Sequence, residues 1–435
     1  MAFVAPSEAQ SEPATMGSVA DLRWFIFALF FIFGGITSLN DVLIPKLKGL
    51  FTLSYGEVML VQSAFFFAYF VISLPAAMLV QKVGYMRSAV VGLLTMTAGC
   101  LLFLPAVASG LFIAFLAALF VLASGITIVQ VVANPLISLL GEPRFAHSRL
   151  TFAQAFNSLG TTIFPYFGAM LILGAINKVD ESQLSTAALT AFRAREARVI
   201  DQTYMGIAAA LLLVAAMVWL RRNRLTEAPR AVANPLAAFD LLKRRRFAFG
   251  TLSIFLYVGA EVAIGSLLAN YLMQADTMAL SPEAAGQRIA LYWGGAMIGR
   301  FVGAGLLRRF PPANVLVSVA LGAVVLLAMS ALTVGPLSGI LLILVGLTNA
   351  IMFPTIFSLA CEGLGPRAAE GSGIICMAIV GGAIVPLLTG LTADATTLRT
   401  ALVVPAVCYS GIAAFARYCR TRPAGYRGIA STQSI

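Results

Sequence analysis

The sequence is dominated by apolar stretches about as long as a membrane is thick, and little else can be folded from them. They fall at 24–44, 57–80, 88–107, 111–140, 151–174, 203–220, 248–273, 289–307, 313–333, 337–361, 371–392 and 399–418. A helix needs roughly 20 apolar residues to cross the hydrocarbon core of a bilayer. Charged residues make up only 11% of the chain, against roughly 25% in a soluble domain. Segments apolar on every side cannot be satisfied in water, so the solvent must be lipid. The expected fold class is an all-α membrane protein of twelve transmembrane helices.

The basic residues give that bundle a direction. With the N-terminus inside, twenty of the 29 Lys and Arg residues fall on the inner side and eight on the outer side, with Arg300 inside a span. Basic residues are kept on the cytoplasmic side of membrane proteins. The net charge of +11 is therefore explained by orientation, without nucleic acid. Both termini are expected in the cytoplasm and the chain in the inner membrane. Residues 1–20 carry Glu8 and Glu12 but no basic leader, and are expected to be a disordered tail rather than a cleaved signal. Residues 21–220 would form one six-helix bundle and 248–418 a second. Between them, 221–247 is a basic linker or surface-lying helix, and 419–435 is a cytoplasmic tail. The longest outer loop, 175–202, carries a stretch from Glu181 to Asp201 that reads as an amphipathic helix at the membrane interface.

The two halves echo each other. Span five contains Gly160 with Pro165 five residues on, and span eleven contains Gly381 with Pro386 at the same spacing. Gln130 stands five residues before Pro135 in span four, and Asn349 five before Pro354 in span ten. These parallels, in the same order on a six-plus-six plan, support two related bundles; the plan resembles that of the major facilitator superfamily, which implies substrate held between the halves near the midplane. Pro135, Pro165, Pro354 and Pro386 suit helices that bend or gate, because proline removes a backbone hydrogen bond.

Polar groups inside a bilayer are costly, at roughly 2.5–3.5 kcal/mol for an ionisable one, and each calls for a reason. Asp41, beside Asn40 late in span one, is a carboxylate able to hold a proton, a sodium ion or a sugar hydroxyl. It could equally sit among outer headgroups, since Pro45 and Lys46 follow. Glu261 lies about 21 Å along its helix from the basic linker, well inside the core. It is a candidate for substrate binding and for proton coupling, or a structural partner for Arg300. Arg300 reads chiefly as structural or gating, either paired with Glu261 or snorkelling toward Arg308. Gln130, Asn134, Gln154, Asn157, Asn270 and Asn349 are neutral amides that donate and accept at once, which suits a polyhydroxylated neutral ligand. His147, the only histidine, reads as a solvated loop residue between Arg144 and Arg149. The five rings of Phe65, Phe66, Phe67, Tyr69 and Phe70 cannot all face one cavity. The sequence contains no Walker A loop, catalytic cluster, metal-ligand set or C-x-x-C pair, so neither an enzyme nor a bound cofactor or metal is expected.

Several stretches together resemble the fucose–galactose–glucose permease family of proton symporters within the major facilitator superfamily. They are Gly35–Pro45, Gln62–Phe70, Ala133–Pro135, Gln154–Gly160, Tyr257–Glu261 and Gly299–Phe301. The resemblance covers nearly all of 24–418. It implies a proton-coupled symporter importing a monosaccharide, with Asp41 in the place of the family's coupling aspartate. The L-fucose/proton symporters also use a span-four glutamate, whose place is held here by Gln130. Glutamine cannot titrate, so the two-carboxylate scheme does not transfer. Gln130 together with a glutamate in span seven looks more like the glucose/galactose branch. The family would place Gln154 and Asn157 near the sugar. The expected substrate is a neutral hexose, the expected coupling ion a proton with sodium as the alternative, and the expected state a monomer in the lipid bilayer. A drug/proton antiporter of the same superfamily is the competing reading; the run Gly160, Pro165, Gly168 matches that group's motif only in part.

Overall fold

A computed structural model describes residues 23–36, 38, 55–172, 186–223 and 235–421. They form twelve successive helical segments and, among the described residues, no strand. The first half comprises α1 (Arg23–Ile36), α2 (Tyr55–Val83), α3 (Tyr85–Ser109), α4 (Phe112–Leu139), α5 (Ala146–Ile172) and α6 (Thr186–Leu220). The second comprises α7 (Arg245–Met273), α8 (Pro282–Arg309) and α9 (Pro312–Leu332). It continues through α10 (Pro336–Cys361), α11 (Gly365–Ala395) and α12 (Leu398–Thr421). Ten of these helices are long and apolar enough to cross a membrane. Large apolar side chains point outward along them, among them Leu332 at 85% exposure, Leu220 at 81% and Leu213 at 65%. Water would drive such residues inward; lipid does not.

Local sequence sets the ends. Gly84, with φ at 86°, makes the tight turn between α2 and α3, a conformation only glycine takes without strain. Pro282, Pro312 and Pro336 open α8, α9 and α10 at a first-turn position, where the missing N–H costs nothing. Ser281 caps α8 by accepting from the amide of Ala284. Two expected boundaries move. The stretch from Glu181 to Asp201 is not a separate interfacial helix where it is described, because one continuous helix runs from Thr186 to Leu220. Within 221–247, a 3-10 helix covers Pro235–Lys243 and the helical backbone of α7 starts at Arg245. In that 3-10 helix Lys243 lies 2.6 Å from Asp240 and holds its carboxyl below the usual carboxylate range.

The internal repeat is real at the level of packing. Gly160 in α5 lies so close to α1 that a Cβ there would stand 2.1 Å from the Phe31 carbonyl oxygen. Gly381 in α11 meets α7 the same way, its Cβ position 2.1 Å from the Phe255 carbonyl. Helix five on helix one, and helix eleven on helix seven, are equivalent contacts six helices apart. Of the four prolines expected to bend helices, Pro135 and Pro386 lie inside continuous helical segments. Pro354 follows a break in α10 between Asn349 and Met352, and the side chain of Pro165 lies outside the described residues.

A polar cavity and its seal

Eight helices, four from each half, converge on a cavity of about 160 Å³. Its wall includes Phe33 of α1, Phe65 and Tyr69 of α2, Gln130 of α4, and Gln154, Asn157 and Thr161 of α5. The second half contributes Tyr257 and Glu261 of α7, Arg300 of α8, Phe353 of α10 and Ile379 of α11. The spacing explains the gathering. Gln154, Asn157 and Thr161 fall at i, i+3 and i+7, one stripe of a helix, and Phe65 and Tyr69 at i, i+4 do the same on α2.

Each polar group is oriented by a neighbour. Tyr69 donates to Gln130 Oε1 at 2.8 Å. Gln154 reaches Asn134 Oδ1 at 3.5 Å, and Asn157 donates to the Phe30 carbonyl at 3.3 Å. Tyr257, one turn before Glu261, donates to Glu261 Oε1 at 2.7 Å. Behind Glu261, Asn349 donates to the Tyr292 hydroxyl at 2.8 Å, and that hydroxyl donates to the Glu261 backbone carbonyl at 3.2 Å. Glu261 and Arg300 share the cavity wall without forming an ion pair: Arg300 is turned to the other half. It donates to the Gln154 carbonyl at 3.3 Å and to the Ser158 hydroxyl, so neither pairing with Glu261 nor snorkelling describes it.

Two of the prolines supply acceptors. A helical proline has no N–H to give to the carbonyl four residues back. Pro135 thereby frees the Val131 carbonyl, which accepts from Ser372 of α11 at 2.9 Å. Pro354 frees the Ala350 carbonyl, which accepts from Arg300 at 3.3 Å.

The site residues expected from sequence divide into four groups. Gln130, Gln154, Asn157, Glu261 and Arg300 line the cavity together. Asn349 is fully buried and stands behind Glu261 rather than on the wall. Asn270 is exposed and away from the cavity, a correction with a simple cause: nine residues at 100° each put it on the face of α7 opposite Glu261. Asn40 and Asp41 lie outside the described residues. Tyr69, Tyr257, Thr161 and Phe353 were not singled out as site residues. The i, i+4 spacing of Tyr257 and Glu261 was the available signal for one of them.

The two halves are sealed at the end carrying the basic loops. His147 is buried there, not solvated as its sequence neighbours suggested. Its Nδ1 lies 2.6 Å from the Ser358 hydroxyl and its Nε2 3.1 Å from Glu362, whose other oxygen pairs with Arg246. Ser148 donates to the Ala304 carbonyl at 2.7 Å, and Gln81 to Glu370 at 2.8 Å. His147→Ala removes two contacts across this seam, each worth about 1 kcal/mol. The thiol of Cys361, three residues past Ser358 and the only one of the five cysteines not fully buried, should then react with a maleimide about tenfold faster. An unchanged rate would mean that His147 does not hold the seam closed.

Residues 25–386 match the pattern of the Major Facilitator Superfamily. The chain belongs to the major facilitator superfamily. Within it, the sequence is 44% identical to the glucose/galactose transporter of Brucella abortus over 385 residues, 88% of this chain and 90% of that protein. It is 34% identical to the L-fucose-proton symporter of Escherichia coli, over 90% of this chain and 91% of that one. The superfamily transporter FucP, crystallised in the outward conformation, superposes with a TM-score of 0.85 at 33% identity, over 92% of this chain and 99% of that one. These identities place the chain in the fucose–galactose–glucose permease family, as its motifs implied. Such members are transporters, not enzymes.

Proposed function

We propose that the protein imports a neutral hexose of the glucose/galactose type across the cytoplasmic membrane by alternating access, driven by the proton gradient. The observation that carries this reading is the cavity itself. It presents three amides, a carboxylate and aromatic faces on a wall shared by both bundles. Amides that both donate and accept suit a ring of hydroxyls, and aromatic faces suit the apolar face of a sugar. The relatives named for glucose, galactose and fucose support the same substrate class. A cavity of about 160 Å³ is below the roughly 300–1,000 Å³ of drug-sized ligand sites, and nothing favours the drug-antiporter reading.

On this proposal the basic end faces the cytoplasm, so its seal closes the inner exit. The protein works as a monomer, with no cofactor beyond the coupling ion. Gln130, Gln154, Asn157 and Glu261 contact the sugar, with Asn349 supporting Glu261. Asp41 and Glu261 are the groups able to carry the proton. The test is uptake into proteoliposomes with a panel of labelled hexoses, under an inward proton gradient, an inward sodium gradient or neither. One hexose should accumulate under the proton gradient alone. In Asp41→Asn, accumulation should be lost while exchange of sugar for sugar persists. Accumulation under sodium alone would transfer the coupling to that ion, and movement of no sugar would sink the substrate assignment.

A further inference from the structure

We infer that Tyr69 is a positioning residue that fixes the Gln130 amide as a hydrogen-bond donor toward the ligand, so that the site selects a sugar oxygen able to accept there. The inference rests on the hexose reading above and adds the polarity of one subsite to it.

The argument is a count of protons. Tyr69 is 4% exposed, and its phenol makes one hydrogen bond, to Gln130 at 2.8 Å. A buried hydroxyl left without an acceptor is costly, and no other acceptor is offered to Tyr69 among the described residues. The phenol must therefore donate, and the group facing it must be the amide oxygen. With the amide turned the other way, two N–H donors would confront a hydroxyl whose own proton had nowhere to go. The oxygen is thus spent on Tyr69, and the amide nitrogen, which has no protein partner among the described residues, is left for the cavity that both residues line.

The neighbouring amides are turned oppositely. Asn157 spends an N–H on the Phe30 carbonyl and Gln154 one on Asn134, which leaves their oxygens as acceptors for the ligand. Glu261 accepts from Tyr257 through one oxygen and offers the other. The wall therefore presents acceptors from α5 and α7, one fixed amide donor from α4, and the Arg300 guanidinium of α8, whose Nε and Nη1 are spent on Ala350, Gln154 and Ser158. Every sugar hydroxyl can donate or accept, so most subsites leave the matter open. A donor that cannot turn demands a lone pair at one ring position.

The test uses counterflow in proteoliposomes, with singly deoxygenated and singly fluorinated glucose as competitors. Fluorine keeps an acceptor at a position while removing the donor; hydrogen removes both. In the wild-type protein one ring position should stand out, its fluoro analogue competing about tenfold better than its deoxy analogue. In Tyr69→Phe the amide is free to turn. The gap at that position should shrink to within about threefold, and the KM for sugar should rise about tenfold, more than the maximal rate falls. The wild-type panel needs no variant to fold, and absence of any position where fluorine outcompetes hydrogen overturns the inference. So does a Tyr69→Phe protein that keeps both the gap and the wild-type KM. If no sugar competes in the wild-type protein, the hexose reading itself fails and this inference falls with it.

Discussion

Glu261→Gln should abolish uphill accumulation of sugar while sugar-for-sugar exchange continues. The wild-type protein is expected to concentrate its hexose up to about tenfold under an inward proton gradient of one pH unit, since the gradient sets the ratio reached at equilibrium with one proton per sugar. The variant should stop at a ratio near one. Glutamine fills the same space, and its oxygen can still accept the 2.7 Å bond from Tyr257, so the geometry of the wall survives. What is removed is the ability to gain and release a proton. Gln130, on the part of the wall contributed by the other half, cannot substitute, because an amide does not titrate. Exchange needs only binding and the motion of the bundles and should persist with an altered KM. Measured side by side, exchange and accumulation separate a coupling defect from a binding defect. Wild-type accumulation in Glu261→Gln would assign coupling to Asp41 alone and leave Glu261 as a ligand for the sugar.

The second large effect is on folding. Gly160→Val and Gly381→Val should each reduce the yield of monodisperse protein severely and lower its Tm in detergent by several degrees. At both positions a Cβ would stand 2.1 Å from a backbone oxygen of the facing helix. A backbone oxygen cannot swing aside as a side chain does, so the helices must part along their length, at a cost of about 3 kcal/mol or more. Close helix approach at small residues is what holds membrane bundles together in the absence of a hydrophobic drive between helices. Gly390→Val, on the same α11 helix but with nothing within 4 Å of its Cβ position, is the control and should behave as wild type. If Gly160→Val and Gly381→Val were also tolerated, the two close contacts would not be what holds α5 on α1 and α11 on α7.

Which parts of this molecule could be read from its residues follows from what kind of signal each part leaves. Twelve apolar stretches leave a signal in every window, and the repeat was visible because Gly160 and Gly381 need glycine for a physical reason. Cavity residues were found where chemistry is rare in lipid: Gln130, Gln154, Asn157, Glu261 and Arg300 all stand out against apolar surroundings. Asn270 stood out equally and was misplaced, because polarity says nothing about which face of a helix a residue occupies; its phase relative to Glu261 did. Tyr69 was hidden among the rings of α2. Phe67 and Phe70 point outward at 55% and 47% exposure, while Phe65 and Tyr69, on another face, reach the cavity. His147 was misread because its burial is created by α10, more than two hundred residues away in sequence. No local pattern records such a contact.

The carbonyl released by Pro135 has a consequence for speed. A carrier must break and remake its seam on every cycle, and each additional 1.4 kcal/mol in that seam slows opening about tenfold. Across this seam Ser372 grasps a main-chain oxygen, that of Val131, that has lost its helical partner. The Ser372 contact, between neutral groups, is a grip of about 1 kcal/mol. Pro135→Ala would give Val131 an intrahelical donor to satisfy it and make the Ser372 grip weaker still. The missing N–H of Pro135 leaves Val131 free to be held from the other half, and mending the helix would be expected to loosen the gate.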